Sequence, residues 1–160
     1  MPRIGAGALV VAVVASLGLS APVLAEDDKP RWFASVSDTD AFARWGIPET
    51  DAVGFEVVCS TGDVVLRPAL YAMEKPAELP QIRFSVDGED YLRDAKFAFS
   101  ELDAAWQAET VVERQDGLVD AMRRGSELTY DFDPPLRTGD EFTLSLSGSA
   151  KAIDEALEGC

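Results

Sequence analysis

FTLSLSGSAKAIDEALEGC, residues Phe142–Cys160, decides the fold class when it is read together with the one other cysteine, Cys59. Phe142, Leu144 and Leu146 alternate with Thr143, Ser145 and Ser147, the period-two pattern of a strand with one buried face. Gly148 breaks that strand, and Ser149 has the hydroxyl expected of a helix N-cap. Ile153, Ala156, Leu157 and Cys160 follow at i, i+3, i+4 and i+7, so they share one helical face that must dock on the domain. Upstream, Phe55, Val57 and Cys59 share a face of another strand-like run, which turns Cys59 inward. Two inward thiols in a chain without other cysteines point to a Cys59–Cys160 disulfide, with a pair of buried free thiols as the alternative.

Residues 1–25 read as a signal peptide: Arg3 is the positive start, Ile4 to Leu19 is apolar and small, and Val23-Leu24-Ala25 offers a cleavage site. The competing transmembrane reading is weakened by the shortness of the run and by the Ser and Pro that follow it. Residues 26–160 then form a single β-rich exported domain of 135 residues, expected in the periplasm or outside the cell. An exported chain with two cysteines is expected to be oxidised. Nothing after the leader is long and apolar enough to suggest stable membrane insertion.

The net charge is −15, and it becomes −16 when the leader removes Arg3. A surface of that sign repels nucleic acid and anionic lipid, and it favours a cationic protein, a divalent metal or a polyamine. Solubility in salty surroundings is the ordinary alternative, because the acids are scattered and form no block.

From residue 31 onward the chain reads as eight or nine short strands separated by turn residues. Arg31 to Val36, Ala41 to Trp45, Val53 to Ser60 and Val64 to Leu70 are strands, the last two joined through Thr61-Gly62-Asp63. Asp38-Thr39-Asp40 and Thr138-Gly139-Asp140 are turns, and Tyr71 to Pro80 is a crossover loop. Ile82 to Val86 enters a type I′ turn at Asp87-Gly88, with a single return strand expected over Tyr91 to Phe99. Trp106 to Arg114 is a further strand with Val111 or Val112 inward. Asp116 caps a short helix with Leu118, Val119 and Met122 on its apolar side and Gly125 at its end. Leu128, Tyr130 and Phe132 alternate before Asp133-Pro134-Pro135 stops the strand. The expected architecture is a single-domain antiparallel β-sandwich, or a partly open barrel, with two short helices, one of them C-terminal.

The closing pattern F-x-L-S-x-S-G-S-x-K-A-I-x-x-x-L-x-x-C is similar to the C-terminal end of invasion-associated locus B proteins and of secreted accessory proteins of type VI secretion. The run W-G-I-P-E-T-D-A-V-G-F-E-V-V-C resembles uncharacterised exported alphaproteobacterial proteins that also end a strand in cysteine. These resemblances imply an exported, disulfide-tied domain and carry no assigned chemistry.

The chain has no histidine, so a Ser-His-Asp triad, a Cys-His pair and His-ligated zinc or haem are excluded. No phosphate-binding glycine motif occurs, and no cofactor is expected. Carboxylates are the abundant reactive groups. Asp131 and Asp133 flank Phe132 and should emerge side by side on the opposite strand face, where they could serve a carboxylate-dependent hydrolase or bind Ca²⁺. Asp38 with Asp40, and Asp87 with Glu89 and Asp90, are further close groups, although turns favour Asp regardless. Among aromatic residues, Trp45 beside the Gly46-Ile47-Pro48 loop and Tyr71 at the crossover are candidate binding residues, whereas Trp32 and Trp106 read as core. The expectation is a non-enzymatic periplasmic module that engages a cationic protein or envelope component.

Overall fold

The computed structural model describes residues 29–37, 41–75, 81–101, 103–135, 141–158 and 160. The leader and the two turns at 38–40 and 138–140 lie outside the described residues, as does the Asp38/Asp40 pair. The strands are β1 (Arg31–Val36), β2 (Ala41–Gly46), β3 (Val53–Ser60), β4 (Asp63–Pro68), β5 (Tyr71–Ala72), β6 (Gln81–Val86), β7 (Glu89–Asp94), β8 (Lys96–Ser100), β9 (Ala105–Val112), β10 (Glu127–Asp133) and β11 (Phe142–Ser145). Helix α1 spans Gly117–Arg124 and α2 spans Ser149–Glu158. The larger sheet runs β1-β2-β3-β4-β9-β5 with β8 also on β9; the smaller runs β11-β10-β6-β7. All these pairings are antiparallel, and neither sheet closes into a barrel.

Register explains the core. Trp32, Trp45, Phe55 and Pro68 stand opposite one another on successive strands of the larger sheet, and so do Ala34, Ala43, Val57 and Leu66. Side chains opposite in an antiparallel pair share a face, so these two files form one inner surface. The smaller sheet answers with the file Phe84–Tyr130–Phe142. Phe55 meets Phe84 at 6.1 Å and Tyr130 at 5.6 Å between ring centres, while Phe97 stacks on Phe132 at 5.7 Å. Of these rings, Phe55, Phe84, Tyr130 and Phe132 are fully buried, and each contributes about 1.5–3 kcal/mol. The Tyr130 hydroxyl donates to the Gly54 carbonyl and accepts from the Ala69 N–H, joining the sheets by polar contacts as well. Burial pushes its pKa well above the ordinary tyrosine value, against the small opposing effect of the Ala69 N–H.

The turns obey local chemistry. Thr61-Gly62 and Asp87-Gly88 are two-residue hairpin loops with positive φ at both positions (51° and 96°, 49° and 89°), as type I′ requires. Asp87 also accepts backbone hydrogen bonds from Ser126 and Glu127. Asp116 caps α1 by accepting from the Leu118 N–H at 2.8 Å, and its carboxylate also binds Arg93. In α2, Ile153, Ala156 and Leu157 are fully buried in the same core cluster as Ala43 and Val57. The helix lies across β1, β2 and β3, and the Cys59–Cys160 disulfide fixes its C-terminal end to β3, with 5.5 Å between the Cα atoms.

Several expectations needed correction. The return strand over Tyr91–Phe99 is two strands: β7 pairs in the smaller sheet, the chain crosses at buried Ala95, and β8 joins the larger sheet. Strands that change sheets make the corners of a sandwich. The crossover loop contains the short β5, which pairs with β9. Gly125 ends α1 with an extended backbone (φ −77°) rather than a left-handed one. Its glycine is needed for space, because a Cβ there would lie 2.5 Å from Val86 Cγ1. Ser149 is the first helical residue, not the cap; its hydroxyl donates to the Met122 carbonyl at the end of α1. Val112 is the inward residue of its strand, and Val111 is exposed.

Candidate functional site

The outward face of the larger sheet carries an alternating charge ladder. Arg44 on β2 stands opposite Glu56 on β3, which stands opposite Arg67 on β4. Glu56 receives Arg44 Nε on one oxygen and Arg67 Nη1 on the other at 3.2 Å, and Arg67 Nε reaches Glu109 on β9 at 3.0 Å. Burial works against the Arg67 charge, but Glu109 and Glu56 outweigh it and hold the guanidinium protonated. A groove of about 390 Å³ opens beside this ladder, between Thr50 and Asp51 on one side and Ser100 and Asp103 on the other. Tyr71, Gln107, Asp51 and Asp103 line it together with Arg44 and Glu56. Tyr71 and Gln107 are cross-strand partners, which explains their shared place. Burial first, then Asp103 and Glu56, raises the Tyr71 pKa. Ser100 donates to Asp103 at 2.6 Å and fixes one wall.

The outward face of the smaller sheet holds a second concavity, about 280 Å³, around Arg83, Asp90, Glu127 and Glu141. Arg83 pairs with Glu141 at 3.6 Å, while Asp90 and Glu127 form no ion pair among the described residues. Asp131 and Asp133 share this face, as their spacing requires, but their environments diverge. Asp131 is 5 % exposed, stands opposite Arg83, and accepts the Phe132 N–H at 2.7 Å. Asp133 is exposed at the strand end. Among the described residues, no cluster of three or more acidic or sulfur side chains is arranged to hold a metal ion.

Trp45 does not face an open groove. Its ring meets Phe142 edge-on at 5.8 Å and lies where a side chain at Gly54 would stand, 2.8 Å from a Cβ built there. Trp32 is core, 7 % exposed, and donates its indole N–H to the Ser145 carbonyl at 2.8 Å. Trp106 is not core. It has the inner face parity of β9 but is only half-buried, outside the core cluster, against exposed Phe99 at 5.5 Å and under Lys75 at 5.2 Å. Tyr71 is therefore the sequence-derived aromatic candidate that lines a groove, and the two aspartates and Trp45 are not brought to it.

The ladder residues Arg44, Glu56, Arg67 and Glu109 escaped sequence reasoning. Their signal was present: once Val57 and Leu66 are inward, Glu56 and Arg67 must be outward. Strand adjacency was the missing information. Compared with protein-family models, with curated proteins and with solved structures, the chain matches none.

Proposed function

We propose that this domain is an exported, non-enzymatic interaction module that engages a cationic protein of the periplasm or envelope. The observation that carries the reading is how the charges are spent. Arg44, Arg67, Arg83, Arg93 and Arg123 are each held by carboxylates of the same chain. Asp90 and Glu127 remain exposed on the outward face of the smaller sheet, beside the β6–β7 turn. An excess of negative charge concentrated on one polar face speeds encounter with a basic surface and selects for it. The leader-like residues 1–25, the disulfide and the resemblance of the closing segment to exported bacterial modules support the compartment. No helix among the described residues is long and apolar enough to cross a membrane.

A lysine-rich peptide serves as the first probe. Reversing charge at exposed positions with Asp90→Lys and Glu127→Lys should weaken its binding at least tenfold at low salt. Equal affinity for the unaltered and reversed proteins would contradict the reading.

A further inference from the structure

Strand β8 is an open edge of the larger sheet: it pairs with β9 on one side, and no strand among the described residues pairs with its other side. An unpaired edge presents a row of backbone donors and acceptors ready for another strand. Three of its five residues, Lys96, Ala98 and Phe99, are exposed, and Phe99 is 51 % accessible despite its size.

The sequence of this edge is nearly a palindrome, Lys-Phe-Ala-Phe-Ser about Ala98. Antiparallel pairing of two such strands about a two-fold axis at Ala98 places every residue in an acceptable pair. Ala98 meets Ala98, Phe97 meets Phe99 of the second copy, and Lys96 meets Ser100 with Glu101 one residue further on. No like charges stand opposite. Phe97 already stacks on Phe132 and Phe99 already touches Trp106, so the pairing would join two aromatic rows across the axis. The remaining edges are less suited to meet themselves. Pairing of β7 about its centre opposes Glu89 with Asp94, β1 runs beside Glu155 and Glu158 of α2, and β11 has only four residues.

We propose that β8 is the contact strand of a symmetric dimer, in which a second copy of this chain extends the larger sheet through antiparallel pairing centred on Ala98. An edge-to-edge contact of five residues is small, so the association is weak and concentration-dependent. Both copies carry the same large negative charge, so salt strengthens the dimer by screening their repulsion. That sign is opposite to the salt response of a cationic partner, and the two readings stand or fall separately.

Cysteine crosslinking tests the register. Directly opposed residues in an antiparallel pair lie about 4.5–5.5 Å apart at Cα, within disulfide range. Ala98→Cys should form a covalent dimer on mild oxidation at least tenfold faster than Lys96→Cys, read on non-reducing gels. Sedimentation of the unaltered protein should show a dimer fraction that rises with protein concentration and with salt, and that Phe99→Lys diminishes. Equal crosslinking rates for the two cysteine variants, or a monomer at every concentration and salt, would overturn the proposal.

Discussion

Removing the Cys59–Cys160 bridge with the double variant Cys59→Ala and Cys160→Ala tests how this domain holds its last helix. The cysteines are 101 residues apart, so the bridge closes most of the folded chain. In the chain-entropy account a loop of about 100 residues contributes roughly 4–5 kcal/mol by restricting the unfolded state. The native state should change little. Helix α2 stays docked through Ile153, Ala156 and Leu157, which are fully buried, and through the Ser149 hydroxyl on the Met122 carbonyl. The double variant should therefore keep its far-UV circular dichroism while losing stability. With a urea slope of about 2 kcal/mol per molar, the unfolding midpoint should fall by roughly 2 M. Such a loss is a large part of the usual margin of about 5–15 kcal/mol. A folded variant whose midpoint moves by less than about 0.5 M would refute the argument that the bridge acts by closing this long loop.

Two more perturbations follow from the core. Gly125→Ala should cost about 1–3 kcal/mol by overpacking, because the new methyl meets Val86 and Leu146; a neutral or stabilising change in thermal unfolding would show that α1 can shift to admit it. Tyr130→Phe should cost about 1 kcal/mol at neutral pH, since Gly54 keeps the Ala69 N–H as a donor. Tyr130 also has a signed pH effect. Its folded pKa is raised above the unfolded value near 10, so its contribution is constant below about pH 10 and is lost as the unfolded chain releases the proton above it. The unaltered protein should therefore lose stability more steeply than the Phe variant between about pH 10 and 12, and equal slopes in urea titrations would contradict this.

How much could be read from the residues differs by element. Strands β1 and β3 and helix α1 were legible because apolar periodicity, turn residues and caps all agreed locally. The paired arrangement of Asp87 and Gly88 was legible for the same reason, since positive φ at both positions has a narrow chemistry. The split at Ala95 was not. Nothing in Tyr91–Phe99 interrupts an extended backbone, and only the competition between two sheets for its pairing ends β7. Trp106 failed similarly: its strand position is inward, but it packs against exposed Phe99 instead of joining the core cluster. Ser149 carried a good capping signal, yet the Met122 carbonyl, 27 residues earlier, took its hydroxyl.

The surface shows the same division. The grouping of acids at the β6–β7 turn could be seen in Asp87, Glu89 and Asp90 because they are neighbours in sequence. Glu127 joins them only because β10 pairs with β6. The Arg44–Glu56–Arg67–Glu109 ladder needed four strands in known order. Side-by-side spacing placed Asp131 and Asp133 on one face but could not foresee that Asp131 would be buried against its own strand.

The most direct test of the central claim is crosslinking capture of the tagged protein from an envelope extract, at low and moderate salt, read by mass spectrometry. The account predicts one dominant basic protein at low salt, reduced as salt rises and absent when Asp90 and Glu127 are both reversed to Lys. A blank at both salts, or a partner retained equally by the charge-reversed protein, would contradict it.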